Sequence, residues 1–213
     1  MGAQASSSRR RHAPAAQDKG SDRPSVDKIK VVLLGGATVG KTALFRRWIG
    51  TALDVEYTPS TTASVGAKLL RLEGHEPVVV ELWDVPPQSF AGSSIFSRYF
   101  RSTQAIVLVF DLQAPASWRD LPKYLDVARR EIAATETIEG RPPTALPVVM
   151  VGNKSDCIDE GGREEQQAAH AWCDEHEIIY TEVSALDGDA AAVLGVLKTV
   201  VALLVAPRPS IIS

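Results

Sequence analysis

Eight residues near the start of the chain, GGATVGKT at 35–42, match the pattern G-x-x-x-x-G-K-[ST]. They follow a β-branched apolar run at 29–35 and precede a stretch with helical spacing, which is the context that the pattern requires. Backbone amides at such a helix N-terminus can surround phosphate groups, and glycines let the backbone approach them closely. The pattern therefore predicts a phosphate-binding loop, with a chance match in a glycine-bearing turn as the alternative. Its residues are Gly35, Gly36, Ala37, Thr38, Val39, Gly40, Lys41 and Thr42.

The last two residues of this loop have side chains suited to nucleotide chemistry. Lys41 would reach the β- and γ-phosphates and supply positive charge during phosphoryl transfer. The hydroxyl of Thr42 would ligate Mg²⁺. The loop therefore indicates that the protein binds a nucleotide together with a magnesium ion.

A second polar motif, VGNKSDC at 151–157, follows another buried apolar run. Asn153, Lys154 and Asp156 should therefore emerge at the same sheet edge as the phosphate loop. An ionised carboxylate can accept two parallel, charge-assisted hydrogen bonds from the N1–H and the exocyclic amine of guanine, and adenine has no such donor pair. The motif thus predicts a guanine nucleotide and argues against an ATP-dependent kinase; a polar surface turn is the alternative.

A third segment, EVSAL at 182–186, ends the last predicted strand and places Ser184 and Ala185 at the same edge. A backbone amide here would meet the guanine oxygen. A serine that caps the following helix explains the pattern equally well. Both interpretations of Ser184 stay open at the level of sequence.

Short apolar runs alternate with amphipathic stretches from residue 28 onward, which favours a doubly wound α/β fold with a mostly parallel sheet. Right-handed crossovers bring the loops that follow the strands to one edge. The predicted strands cover 29–35, 64–72, 77–84, 104–112, 147–153 and 178–183, the second and third as an antiparallel hairpin. The predicted helices run from residue 40 to about 48 and lie near 93–102, 116–134, 163–176 and 189–205.

Composition narrows the class of protein further. The net charge of −3 gives no global electrostatic reason to expect nucleic acid binding. Two cysteines are too few for a disulfide framework and fit a reducing, cytoplasmic setting. Residues 1–27 are rich in Ser, Ala, Arg, Gly and Pro, which predicts a disordered tail before a folded domain at 28–206 and a short tail at 207–213.

The order of motifs GGATVGKT, ELWD, GNKSD and VSAL resembles the Ras superfamily of small GTPases, and the WD dipeptide with its hairpin most resembles the Rab branch. The likeness covers residues 28 to about 205. It implies a P-loop NTPase domain with six strands, one of them antiparallel, and about five helices. It also implies GTP or GDP, Mg²⁺, two switch loops, and effector and regulator proteins that dock on those loops and the adjoining hairpin.

The resemblance assigns further roles to single residues. Asp84 would hold the Mg²⁺ shell through water, and Ala185 would contact the base. Leu186 stands where the family has a lysine, which removes a stacking contact. The family places a magnesium-ligating threonine in the first switch loop, YTPSTTASVG at 57–66, where the spacing nominates either Ser60 or Thr61. A Ser/Thr linker without a ligand is the alternative.

The second switch loop departs from the family pattern W-D-T-A-G-Q, because this chain has WDVPPQ at 83–88. Gln88 takes the place of the glutamine that orients the attacking water. Pro87 replaces a glycine whose amide bonds the γ-phosphate, and proline has no N–H to donate. Two functions follow: a slow GTPase that relies on Gln88 and Lys41, or a nucleotide-bound interaction module with an impaired switch.

The N-terminal residues MGAQAS match the myristoylation pattern M-G-x-x-x-[ST], so Gly2 is a candidate acceptor. One acyl chain binds membranes weakly, and Arg9, Arg10 and Arg11 would add attraction to an anionic leaflet. The last residues, RPSIIS, contain no cysteine for the prenyl anchor usual in Rab relatives. We therefore expect a cytoplasmic protein held peripherally on the cytosolic face of a membrane; an unmodified Ser/Arg-rich start is the alternative.

Overall fold

The computed structural model describes residues 27–51, 62–87, 96–135, 146–157 and 163–205. These residues form one six-stranded sheet in the order β2-β3-β1-β4-β5-β6, in which β2 and β3 are antiparallel and the other neighbours are parallel. The prediction of a mostly parallel sheet with one antiparallel strand is confirmed. The strands are β1 (Lys28–Gly35), β2 (Ser64–Leu70), β3 (Val78–Asp84), β4 (Ala105–Asp111), β5 (Val148–Asn153) and β6 (Ile179–Val183).

The described helices agree with the prediction in number and order. They are α1 (Lys41–Ile49), α2 (Phe96–Phe100), α3 (Leu121–Thr135), α4 (Arg163–Glu175) and α5 (Ala190–Val205). None of these helices is both long and apolar enough to cross a membrane.

The structure refines two of the approximate helix limits. The predicted helix at 116–134 begins as a 3-10 segment, Pro115–Asp120, and becomes α-helical at Leu121, with Pro122 in the first turn where a missing N–H is tolerated. The helix predicted to reach residue 102 ends at Phe100, since Ser102 takes a left-handed φ of 56°. The predicted start of that helix lies outside the described residues.

The sheet is covered on both faces, which explains why its central strands are continuous apolar runs. All seven residues of β4 are buried. One face packs against α1 and α5, with Leu44, Trp48 and Leu197 in its core. The other packs against α3 and α4, with Ile132 and Cys173 in its core. This enclosure holds the carboxyl ends of the parallel strands at one edge, where the polar motifs follow.

Candidate functional site

The predicted phosphate loop turns into α1 at Gly40, which has a left-handed φ of 91°. Within the described residues no side chain caps this helix end, so its first amides stay available to an anion. A Cβ at Gly40 would lie 2.0 Å from Asn153 Nδ2, so only glycine fits there. Thr38, in the same loop, also adopts a left-handed φ of 61°.

The ammonium group of Lys41 lies over the phosphate loop. Its Nζ donates to the carbonyl oxygens of Gly35 at 3.0 Å and Gly36 at 2.7 Å. Burial lowers the pKa of Lys41 from 10.5 to about 8, although the nearby charge of Asp84 acts in the opposite direction. The lysine is therefore a desolvated cation, placed where an incoming phosphate would compensate its charge.

Lys41 should make the stability of the nucleotide-free protein depend on pH. Because its pKa is lower folded than unfolded, the unfolded chain binds more protons between pH 8 and 10.5, and stability rises with pH in that window. The rise attributable to Lys41 should total about 3 kcal/mol, of which about 2 kcal/mol falls between pH 7.5 and pH 10. Urea unfolding at pH 7.5 and pH 10 measures it. Lys41→Met should lack this increment, and an equal rise in both proteins would contradict the prediction.

Thr42 and Asp84 bring two oxygen donors together beside Lys41. The Thr42 hydroxyl donates to Asp84 Oδ2 at 2.5 Å, and the carboxylate is 2% exposed. Burial raises the pKa of Asp84, while Thr42 and Lys41 lower it. A hydroxyl and a carboxylate in this arrangement are the hard oxygen ligands that suit Mg²⁺, so the residues present fit the metal.

The chain that leaves β3 is anchored for two residues beyond Asp84. The Val85 amide bonds the Leu33 carbonyl at 3.4 Å, which extends the pairing of β3 with β1. Val85 and Pro86 are buried, and Pro87 is half-buried. Three predicted site residues lie outside the described residues: Ser60, Thr61 and Gln88.

The side chain of Asn153, 1% exposed, joins the phosphate loop to the segment after β6. Its Nδ2 donates to the Val39 carbonyl at 2.9 Å, and its Oδ1 accepts from the Ala185 amide at 3.0 Å. Three segments that are distant in sequence thus meet at one side chain. This contact holds the predicted phosphate-binding and base-binding loops in fixed relation.

The carboxylate of Asp156 is exposed at the edge of the sheet. Hydrogen bonds from the Cys157 thiol, 2.9 Å away, and from the Ser184 hydroxyl hold the pKa of Asp156 below its usual value. Asp156 is therefore ionised at neutral pH, which is the state that a bidentate contact with guanine requires.

Ser184 acts in this structure as the cap of a turn. Its Oγ accepts the amides of Leu186 at 3.2 Å and Asp187 at 2.9 Å. Ser184 does not cap the following helix, as the capping interpretation of the sequence proposed, because α5 begins at Ala190 and its first turn is bonded by Asp189. The Ala185 amide donates a hydrogen bond to Asn153 Oδ1, and the Leu186 side chain is 65% exposed. Leu186 therefore presents an apolar surface beside the predicted base-binding loop.

Two contacts at this edge involve residues that the motifs do not single out. Lys154 Nζ lies 2.6 Å from Asp111 Oδ2, at the end of β4. Arg47 in α1 donates to the Gly188 carbonyl at 2.6 Å. The available signal for Asp111 was a charged residue at the carboxyl end of an otherwise apolar strand, a position where α/β proteins place functional groups.

The two cysteines should differ strongly in reactivity. Burial raises the pKa of the Cys173 thiol to about 12, whereas Cys157 is exposed and its pKa is raised by Asp156. At pH 8 we expect N-ethylmaleimide to modify Cys173 roughly 100-fold more slowly than Cys157, because the thiolate is the nucleophile and Cys173 is enclosed. Timed quenching with mass spectrometry measures both rates. Cys157→Ser should leave one slow site, and equal labelling of both residues would refute the prediction.

A glycine-bearing phosphate loop between a central strand and a helix, at the carboxyl edge of a doubly wound sheet, defines the class of P-loop proteins. Within that class, the family model for the Ras family matches residues 30–203. The chain therefore belongs to the Ras family, as its motifs had indicated.

Curated relatives place the chain among Rab-like small GTPases. It is 29% identical to Ras-related protein Rab-7b of Mus musculus, over 76% of each chain. It is 33% identical to Ras-related protein Rab-30 of Homo sapiens, over 75% of this chain and 72% of the relative. With Ras-related protein Rab-28 of Caenorhabditis elegans it shares 26% identity over 79% of this chain and 64% of the relative.

Proposed function

We propose that residues 28–206 form a guanine-nucleotide-binding domain that binds GTP and GDP with Mg²⁺. The observation that carries this proposal is the Asn153 side chain, which bonds Val39 in the phosphate loop and Ala185 beside the base-binding loop. Residues 35–42 would bind the phosphates, and the ionised Asp156 would select guanine. Lys154 and Leu186 would pack against the base, whereas Asn153, Ser184 and Ala185 would shape the base site through the bonds that they make to one another's segments.

Magnesium binding is assigned to oxygen donors from the phosphate loop, from the end of β3 and from the first switch loop. The Thr42 hydroxyl and the Asp84 carboxylate supply two of these donors, and their oxygens lie 2.5 Å apart. Ser60 or Thr61 would complete the set from the first switch loop. When bound, Mg²⁺ neutralises phosphate charge during transfer, and Lys41 adds positive charge at the same place.

The second switch loop favours slow GTP hydrolysis. Val85 and Pro86 are buried against the sheet, and Pro87 has no amide to offer the γ-phosphate. A hydrogen bond to a charged acceptor is worth about 1.5–3 kcal/mol, so its loss weakens the coupling between nucleotide and loop conformation. In the sequence, Gln88 stands where the family has the glutamine that orients the attacking water. The same anchoring supports the second candidate, a nucleotide-bound interaction module that hydrolyses no GTP.

Nucleotide titrations test the binding proposal. Fluorescent GDP and ADP analogues, each with Mg²⁺, should bind with at least about 100-fold preference for GDP, given the two charge-assisted bonds to guanine. Asp156→Asn should remove most of that preference. If the original chain bound the two nucleotides equally, or bound neither, the proposal of guanine-nucleotide binding would be refuted.

Single-turnover hydrolysis of Mg·GTP separates the two candidate functions. If Pro87 limits the switch, Pro87→Gly should raise the rate about tenfold, because one hydrogen bond to the γ-phosphate is restored. Gln88→Leu in the Pro87→Gly background is the matched control and should abolish the gain. Equal rates for the original chain and Pro87→Gly would exclude Pro87 as the cause of slow hydrolysis, and turnover absent from both favours the interaction module.

Effector and regulator proteins would dock on the switch loops and on the outer face of the β2–β3 hairpin. Val65 and Leu69 on β2 are 51% and 50% exposed. Trp83 on β3, half-buried, lies opposite Val65 in the register and 6.4 Å from the ring of Tyr99. An apolar, aromatic face of this kind fits a protein partner.

Membrane attachment is proposed for the segment at 1–27, which lies outside the described residues. A myristoyl group on Gly2, with Arg9, Arg10 and Arg11, would hold the protein peripherally on the cytosolic leaflet. Mass spectrometry of the native N-terminus tests this: the expected result is Met1 removal and a mass increase of one myristoyl group. An unmodified Gly2 would remove the proposal.

A further inference from the structure

An ion pair links Lys154 in the base-binding loop to Asp111, a residue outside the motif. Lys154 Nζ lies 2.6 Å from Asp111 Oδ2, and the side chains are 31% and 9% exposed. Partly buried pairs at this distance are screened less by salt than surface pairs. Asp111 is the last residue of β4 and is registered with Asn153, the last residue of β5. The pair therefore ties two adjacent strand ends together, directly beneath the loop.

Lys154 needs such support because its backbone is strained. Its φ of 68° lies in the left-handed region, which is unfavourable for a residue with a Cβ and persists where the surroundings hold it. Lys154 also separates Asn153, which is anchored to Val39, from the Ser155–Cys157 turn that contains Asp156. The conformation of Lys154 consequently sets where the Asp156 carboxylate lies relative to the phosphate loop.

The two oxygens of Asp111 have separate partners. Oδ2 meets Lys154, whereas Oδ1 accepts the Gln113 amide at 2.9 Å and forms the turn that follows β4. Asparagine can keep the second contact because it also has an acceptor oxygen, but it lacks the charge for the first. Asp111→Asn therefore removes the ion pair and keeps the turn.

We propose that Asp111 is a positioning residue for guanine recognition: its buried carboxylate holds the Lys154 ammonium and so orients the loop that carries Asp156. This inference rests on the proposed function, in which that loop binds guanine. Asp111 itself would touch no part of the nucleotide. Its effect would appear in the lifetime of the complex and in selectivity at the exocyclic amine.

The full chain loaded with a fluorescent GDP analogue and Mg²⁺ tests the inference. Asp111→Asn should release the probe about tenfold faster, because a charge-assisted bond that orders the loop is lost. Asp111→Glu keeps the charge and should stay within about threefold of the original rate. The ratio of GDP to IDP affinity should fall about fivefold in Asp111→Asn, since inosine lacks the exocyclic amine. A general loss of stability would instead weaken GDP and IDP equally.

Variants of Lys154, with a control at Lys28, show whether Asp111 acts through Lys154. In a Lys154→Met background, adding Asp111→Asn should change release by less than about twofold, since the coupling partner is absent. If Asp111→Asn does not fold, Lys154→Met is compared with Lys154→Arg. Both leave the Gln113 turn intact and disturb any base contact of Lys154, but only Lys154→Met removes the cation that pairs with Asp111, so it should release the probe about fivefold faster than Lys154→Arg. Lys28→Met removes the Lys28–Glu81 ion pair at the opposite end of β1 and should not alter release.

The outcomes that overturn the inference are distinct from failure of the proposed function. Release from Asp111→Asn at the original rate, or an unchanged Asp111→Asn effect in the Lys154→Met background, overturns the role of Asp111 alone. An original chain that retains neither GDP nor IDP overturns the proposed function as well.

Discussion

Asn153→Ala is expected to lower the free energy of unfolding by about 3 kcal/mol, because two buried backbone groups lose their partners at once. The orphaned groups are the Val39 carbonyl and the Ala185 amide, which Asn153 bonds at 2.9 and 3.0 Å. Alanine cannot replace either bond, and at this buried position water cannot easily do so. Urea unfolding of the nucleotide-free protein measures the loss.

The same substitution should weaken GDP binding by about 100-fold or more, because the two loops would no longer be held in one arrangement before the nucleotide arrives. Gln104→Ala is the matched control. It breaks a single long-range bond, from the Lys30 amide to Gln104 Oε1 at 3.0 Å, near the amino end of β1. This control should lose about 1 kcal/mol of stability and no nucleotide affinity. If Asn153→Ala binds GDP as tightly as Gln104→Ala, then Asn153 does not organise the site.

Gly40→Ala should strongly disrupt the phosphate loop. The new Cβ would lie 2.0 Å from Asn153 Nδ2, and the φ of 91° is unfavourable for alanine. Because Asn153 is held by both of its hydrogen bonds, it cannot move aside without breaking them. We expect a loss of about 3–4 kcal/mol, from backbone strain and the displaced Asn153 together, and no measurable GDP binding.

Gly50→Ala separates the backbone strain from the clash with Asn153. Gly50 ends the same helix in a similar left-handed conformation, with a φ of 82°. No described atom lies within 4 Å of a Cβ placed there, so this variant carries the backbone strain without the clash. It should lose about 1 kcal/mol and keep its nucleotide affinity. Equal losses in the two alanine variants would show that contact with Asn153 is unimportant at Gly40.

Much of this fold follows from local patterns. The apolar run at 104–112 predicts a strand buried on both faces, and all of β4 is buried. The phosphate loop is equally local, because its glycines, its lysine and the start of α1 are contiguous in the chain. Helix limits were less predictable: Pro122 fits either a helix start or a break, and packing against the sheet decides between them.

Local patterns are enough to predict the class of fold, the phosphate loop and the chemical character of the base-binding loop, because each depends on residues close together in the chain. The folded structure was needed to show that Asn153 joins Val39 to Ala185, that Ser184 caps a turn, and that Asp111 pairs with Lys154. Such contacts depend on how separate strand ends meet once both faces of the sheet are packed. Propensity and periodicity carry no information about which side chains then come within hydrogen-bonding distance.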